Sequence, residues 1–509
     1  MMSQSYPSDQ GQLVAVRAEQ LSEYVKRSAI EGTPIHEVEQ GIWECLLAMG
    51  REALGLYLSV QGSGDVGETV ELETGAVVRR LPSLHVRAYQ SVFGEFELAR
   101  CVYGSRVGQR ITFVPLDARL QLPESKFSYL LQDWSQGLAV NNAYAQVNAT
   151  LSRILGITQS SDSLERMNRQ MSTTVECFEA TRASPPAAPV GHLIVASADG
   201  KGVPIRQSAT TSTIAGHRPQ KGPKPNRKKM AIVGAAYSVE PRVRTPQSVL
   251  DSLFRMPSDP RDAKPDTPQA RPADKHLRAR LTMEMPESPG EESATDQIFE
   301  WLRTQVNQRQ PTSSLPVIVL MDGQPSLWQA AQTYLPQSNA IEILDLLHVT
   351  SRIWQVVPFW YKAHSDEALL AVKVYVSLIL QGQVDVIITV WRLLADSGTL
   401  KPKQEKCLRQ VCNYFENNWH RMHYDQYLAA GYPIASGVIE GACRHLVKDR
   451  MERAGMQWTL NGAQAMLNLR SVALNRAWQA FTQFRIQHET ERLYPHRNLL
   501  ATVDWPLLA

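Results

Sequence analysis

The sequence predicts a mixed α/β protein with acidic residues at the carboxyl ends of its strands. The first observation is the stretch Leu315–His348, which reads L-P-V-I-V-L-M-D-G, then a helical interval, then A-I-E-I-L-D-L-L-H. Its two short apolar runs, Pro316–Met321 and Ala340–Leu344, are rich in β-branched residues, the pattern of strands buried on both faces of a parallel sheet. Between them Pro325–Leu335 has helical spacing and the length of one crossover, which makes a β-α-β unit. The second observation is that each run stops on an aspartate, Asp322 and Asp345, where open α/β sheets place their ligands. The third is another buried-strand run, His192–Ala198, that ends the same way on Asp199.

At 509 residues the chain has the length for two to four domains. A net charge of only +3 excludes a polycation, so any nucleic-acid surface must be local. The six cysteines are scattered; only Cys407 and Cys412 are close, without histidines in zinc-finger register, so they read as reduced and structural. The N-terminus lacks a basic start followed by an apolar core, and no apolar run reaches about 18 residues. The nearest, Ala368–Leu380, carries Lys373. A cytoplasmic protein without membrane partners is expected.

The N-terminal region, 1–180, is expected to be mostly helical with one β-hairpin. Residues 35–58 place apolar groups at helical spacing, with Thr33 as cap and Pro34 in the first turn. Residues 85–103 alternate around a Phe-Gly-Glu turn, as a hairpin does. Asn142–Leu155 is helical and stops at Gly156; Ser160-Ser161-Asp162 opens a second helix, with Arg153, Arg166 and Arg169 nearby. That outline, across 142–175, makes a candidate helix-turn-helix for DNA, though many helical bundles share it. Thr181–Val190 is a Pro/Ala linker and the clearest boundary.

The second domain starts at 191. Glycine on both sides of Lys201 predicts a tight reversal after Asp199 into a strand at Val203–Gln207, and a third strand fits Met230–Val239. Hairpin-linked strands followed by β-α-β units are the order of an RNase H-like core, here spanning 191–349. Between the second and third strands Arg218, Lys221, Lys224, Arg227, Lys228 and Lys229 occur without an acidic residue, the composition of an arm that lies along phosphates. Pro257–Pro272 is an irregular excursion before a helix at Thr295–Arg309. Residues 350–430 form an all-α insertion, and 431–509 bring a helix in which Ser436 can act as cap. That helix places Glu440, Arg444 and Lys448 on one face. A final helical segment covers Gly462–Ile486.

Asp199 and Asp322 at adjacent strand ends, with Glu440 from a crossing helix, would form a cradle for two divalent cations. Such a pair, about 3.5–4 Å apart, activates an attacking oxygen and stabilises a leaving one in phosphoryl displacement. Magnesium prefers carboxylate oxygens, and like charges this close call for a cation. A single strand-end aspartate would be an ordinary surface carboxylate; the recurrence of D-G and the glutamate helix argue for the site.

Several motifs also carry a family resemblance. S-A-D-G-K-G-V at 197–203, L-M-D-G-Q at 320–324, L-D-L-L-H-V at 344–349 and G-V-I-E-G-A-C-R-H-L-V-K-D-R-M at 437–451 resemble DDE-type insertion-sequence transposases of the Kra group, bacterial relatives of Mutator-like transposases. V-F-G-E-F-E-L at 92–98 and L-P-E-S-K-F-S-Y-L-L-Q at 122–132 extend the likeness over most of the chain. The resemblance implies Asp199, Asp322 and Glu440 as the catalytic, metal-binding triad, with two Mg²⁺ ions and Mn²⁺ as a substitute. It implies an RNase H-like catalytic core with an all-α insertion before the glutamate. Asp345 and His348 match a D-x-x-H signature and would support the site. The implied activity is cleavage at the element's ends and strand transfer into target DNA by a homodimer or higher oligomer. Arg444, Lys448 and the 218–229 arm would contact DNA, in a bacterial protein that is nucleoid-associated when bound. A nuclease that only hydrolyses, or a DNA-binding regulator without catalysis, are the alternatives.

Overall fold

The computed structural model describes residues 7–105, 111–206, 228–255, 271–282, 293–309, 316–335, 339–453, 455–501 and 505. Arg218, Lys221, Lys224 and Arg227 of the expected basic arm lie outside them, as do most of 257–272. The chain divides into two compact units, Met1–Glu179 with Ala477–Ala509, and Ala180–Arg476. Among the described residues no helix is long and apolar enough to cross a membrane.

In the first unit, helices Pro7–Glu31 and Ile35–Val60 form a hairpin turned at Gly32, whose φ of +66° suits glycine. Pro34, not Thr33, occupies the cap position, and no side chain caps the helix. Strands His85–Ser91 and Gly94–Arg100 pair antiparallel, giving the hairpin expected from their alternation. Helix Tyr144–Leu155 ends at left-handed Gly156, and Ser160 accepts from the Ser163 amide at 3.1 Å to open Ser161–Ser172. Leu164, Met167 and Met171 form the buried face of that second helix, while Arg153, Arg166 and Arg169 are exposed.

The expected terminal helix over Gly462–Ile486 is two helices, Leu460–Leu474 and Trp478–Leu493, broken at Arg476 with φ of +56°. The second belongs to the first unit rather than to the glutamate helix's segment. Its buried Arg485 donates to Gln132 at 2.7 Å and its Glu489 accepts from the Glu124 amide at 2.8 Å, bonds that fix its seat there. Trp478 donates to Asp133 at 2.7 Å in the same way.

The second unit is built on a five-stranded sheet. Its strands are β1 (Leu193–Pro204), β2 (Lys228–Val239), β3 (Ala273–Leu281), β4 (Val317–Met321) and β5 (Ala340–Leu344). They lie in the order β5-β4-β1-β2-β3; β1, β2 and β3 are antiparallel, and β4 runs parallel to both β1 and β5. The sheet is open, and helices complete a mixed α/β fold. Val317–Met321 is wholly buried, as an uninterrupted apolar strand should be.

Two expectations fail here. There is no reversal at Gly200–Gly202: β1 runs on to Pro204 and stays paired with β2 from Leu193↔Val239 to Pro204↔Lys228. Tight two-residue hairpin turns use positive φ, which neither glycine adopts. The antiparallel partner is therefore β2, and among the described residues of 203–207 Val203 and Pro204 belong to β1 rather than to a separate strand. The third strand is β3, A-D-K-H-L-R-A-R-L, missed because it is an edge strand. Only alternate residues Leu277, Ala279 and Leu281 give it an apolar signal.

After β5 the insertion is all-helical, from Asp366–Leu380 through Val384–Asp396 and Pro402–Asn418 to Tyr424–Ala429. Buried Trp391 anchors it, edge-on to Tyr375 at 5.0 Å and stacked on Phe415 at 5.8 Å. The chain then returns as Gly437–Ala442, continuing through a π-helical turn, Cys443–Lys448, into Asp449–Met451.

Candidate metal centre

Asp199 lies within β1 rather than at its end, and the parallel register levels it with the ends of β4 and β5. Val319 pairs with Ala196 and Met321 with Leu344, so continuing both ladders sets Asp199, Asp322 and Asp345 side by side. Two bonds hold that edge: Ser197 Oγ donates to the Leu320 carbonyl at 2.5 Å, and the Asp345 amide to the Met321 carbonyl at 2.9 Å. Neighbouring strands lie about 4.8 Å apart, so three carboxylates share one rim.

Asp345 is fully buried. Its Oδ1 accepts from the Leu347 amide at 3.0 Å, capping helix Leu346–Val356, and from the Ser436 amide at 3.2 Å. Its Oδ2 accepts from Ser436 Oγ at 2.5 Å and from His348 Nδ1 at 2.8 Å. A carboxylate has about four lone-pair sites, and here all are engaged. Asp345 therefore fixes the imidazole and leaves its Nε2 as the available ring nitrogen, the arrangement that orients metal-binding histidines. The hydrogen bond to Asp345, more than any other neighbour, raises the His348 pKa.

Glu440 completes a cluster: one ligand atom each from Asp345, His348 and Glu440 lie within 4.8 Å of one another. Among the described residues this tight group joins Glu440 to the two supporting residues, and Asp199 and Asp322 are not members. Both aspartates nevertheless border it electrostatically. Burial first, then the charges of Asp199 and Asp345, raise the Asp322 carboxyl above its usual range, while the Gln324 amide and His348 oppose the rise. Burial and then Asp345 and Asp199 likewise raise Glu440. Asp199 accepts from the Gly200 amide at 2.6 Å and from the Cys443 thiol at 3.4 Å.

The two D-G pairs have different grounds. A Cβ on Gly323 would sit 2.2 Å from the Tyr414 ring, which folds over this turn from the helical insertion. A Cβ on Gly200 would meet only the mobile end of Met230, at 2.9 Å. Burial, outweighing the Arg352 guanidinium 4.7 Å above the ring, lifts the Tyr414 hydroxyl to about 12.

Arg444 and Lys448 are exposed on the same segment as Glu440. The π-helical turn between them departs from the i, i+4, i+8 geometry expected of a plain α-helix. Buried Arg470 braces that turn, donating to the Leu446 carbonyl at 2.7 Å and to the His445 carbonyl. Arg444 Nε lies 3.7 Å from Asp449. Lys228 and Lys229 belong to β2, not to a loop, and Lys228 pairs with Glu452 at 2.5 Å.

Three contributors escaped sequence reasoning. Ser436 does not cap its helix with its side chain but binds Asp345 instead. Cys443 and Tyr414 carried no signal except, for Ser436 and Cys443, a spacing of four and three residues from Glu440. No protein-family model matches the chain, and no curated protein matches it in sequence.

The donor set fits a divalent cation. Burial first, and neighbouring carboxylates second, raise the pKa of Asp322 and Glu440, a cost that a bound cation offsets. Carboxylate oxygens suit Mg²⁺ or Mn²⁺, and one imidazole nitrogen tilts the choice toward Mn²⁺. The Asp345, His348 and Glu440 cluster supports a metal-dependent catalytic function in general terms.

Proposed function

We propose that the protein is a DDE-type transposase with an RNase H-like core, catalysing divalent-metal-dependent cleavage at the ends of a mobile DNA element and strand transfer into target DNA. The observation that carries this reading is the level placement of Asp199, Asp322 and Asp345 across three adjacent parallel strands, with Glu440 brought to Asp345 and His348 by a helix that follows an all-helical insertion. The sheet order β5-β4-β1-β2-β3, with the first three strands antiparallel, is the arrangement expected of an RNase H-like core.

Asp199, Asp322 and Glu440 would hold the metal, with His348 in the same cluster as Glu440 and Asp345 as the imidazole's orienting brace. Bound divalent ions supply activation of the attacking oxygen and stabilisation of the leaving one. The exposed Arg444 and Lys448 contact phosphates along the Glu440 helix. Lys228 at the start of β2 would add a further phosphate contact by exchanging its Glu452 partner. Helices Tyr144–Leu155 and Ser161–Ser172 form the candidate reader of the element's ends. Joining two ends to one target requires at least two copies of the chain on DNA.

The test incubates purified protein and Mg²⁺ or Mn²⁺ with duplexes bearing the termini of the DNA segment that encodes it, plus a supercoiled plasmid. Joined product that Asp322→Asn abolishes is expected. Hydrolysis without joining, even from pre-cleaved ends, would replace the reading with that of a nuclease. Binding without either reaction would leave a regulator.

A further inference from the structure

Glu440 does not meet the strand ends unaided. Ser436 lies four residues before it and Cys443 three after, spacings that put all three on one side of a helical segment. Each flanking residue is buried, at 2% and 5% exposure, and each donates to a different carboxylate of the rim. Ser436 grips both oxygens of Asp345, through its amide at 3.2 Å and its Oγ at 2.5 Å. Cys443 Sγ donates to Asp199 Oδ2 at 3.4 Å. Asp345 follows β5 and Asp199 lies in β1, the strands on either side of β4. The segment 436–443 thus bridges the rim from one outer aspartate to the other, with Glu440 between its two anchor points.

Neither contact is needed to form the helix. Ser436 occupies the cap position without a side-chain cap bond, so its hydroxyl serves Asp345 in place of the helix end. Cys443 sits in the π-helical turn, buried, with its thiol turned onto Asp199 Oδ2. Removing the Ser436 hydroxyl would leave Asp345 Oδ2 with His348 alone, loosening the oxygen that aligns the imidazole while the Leu347 and Ser436 amides still hold Oδ1. Resting on the metal-centre reading above, we infer that Ser436 and Cys443 are positioning residues: they lock the carboxylates of Asp345 and Asp199 and so fix where Glu440 faces the strand ends.

The test measures Mn²⁺ affinity of the full-length protein by the free-ion electron paramagnetic resonance signal, alongside the melting temperature in EDTA. Partners that orient metal ligands typically change affinity by about 10- to 100-fold when removed. Ser436→Ala should weaken Mn²⁺ binding within that range, and Ser436→Thr should restore most of it. Cys443→Ala should have a smaller effect, roughly 3- to 10-fold for a weak thiol donor, with Cys443→Ser recovering it. A general packing defect would lower the melting temperature in EDTA equally in alanine and conservative variants, without rescue of affinity. Wild-type affinity lost in Asp322→Asn but unchanged in Ser436→Ala and Cys443→Ala overturns the positioning roles alone. Absence of Mn²⁺ binding by the wild-type protein overturns both those roles and the metal centre.

Discussion

Asp345→Asn perturbs the most heavily bonded group at the rim. The carboxylate accepts from Leu347 and Ser436 amides at 3.0 and 3.2 Å on one oxygen, and from Ser436 Oγ and His348 Nδ1 at 2.5 and 2.8 Å on the other. An asparagine can keep its carbonyl on the amide side, where both partners are donors that cannot reorient. Its NH₂ then faces Ser436 Oγ, which can rotate to accept, and His348 Nδ1, which can accept only as the other tautomer. That tautomer carries its proton on Nε2 and presents no lone pair to a metal. Hydrogen bonds to a charged group contribute about 1.5–3 kcal/mol each. With partial compensation from the new geometry, the substitution should cost about 2–4 kcal/mol. Urea unfolding of metal-free protein measures that loss, and Mn²⁺ titration should show a fall of about 10- to 100-fold in affinity. Stability within about 0.5 kcal/mol of wild type together with unchanged Mn²⁺ binding would refute the idea that Asp345 holds the imidazole.

Gly323→Ala should destabilise by about 1–3 kcal/mol, because its Cβ would lie 2.2 Å from the Tyr414 ring, and Gly200→Ala by clearly less, since only the Met230 methyl is near at 2.9 Å. Equal losses in thermal unfolding of the two variants would contradict that contrast. Mn²⁺ affinity should fall as pH is lowered into the carboxylate range, and earlier than for ordinary carboxylates, because Asp322 and Glu440, both raised chiefly by burial, must lose protons to bind metal. Calorimetry in two buffers of different ionisation enthalpy should show proton release, and none would count against carboxylate ligation. His276 is held near 4, below its ordinary 6.5, by burial and then the Arg309 charge. The neutral ring is the native form, so its contribution is full above pH 6.5 and is lost as pH falls from 6.5 to about 4. The loss should reach about 2–3 kcal/mol and disappear in His276→Gln, as read from urea unfolding across that range.

The buried parallel strands were legible because uninterrupted apolar runs such as Val317–Met321 have few other uses, and the aspartates at their ends stood out by contrast. Hairpin His85–Ser91/Gly94–Arg100 and helices Tyr144–Leu155 and Ser161–Ser172 followed from alternation, Gly156 and the Ser160 cap. The strand β3 was illegible because an edge strand keeps only every second residue apolar. The continuation of β1 beyond Asp199 was misread because glycines beside Lys201 signal a turn locally, while pairing with β2 is decided by residues some thirty positions away. At the site, composition drew attention to acidic groups, yet Asp345 and His348 gather closest to Glu440. Their proximity depends on Ser436 meeting Asp345 across 91 positions of sequence, a contact no local pattern encodes. The same holds for Tyr414, which reaches Gly323 from the insertion.

The most direct measurement is an anomalous-difference map from crystals soaked in Mn²⁺. The expected peak lies among the carboxylates of Asp199, Asp322 and Glu440, with the His348 ring beside it and Asp345 still bonded to Ser436. A peak held by Glu440 and His348 while Asp199 and Asp322 point elsewhere, or no peak at all at saturating Mn²⁺, would contradict a catalytic metal centre built on the strand-end aspartates.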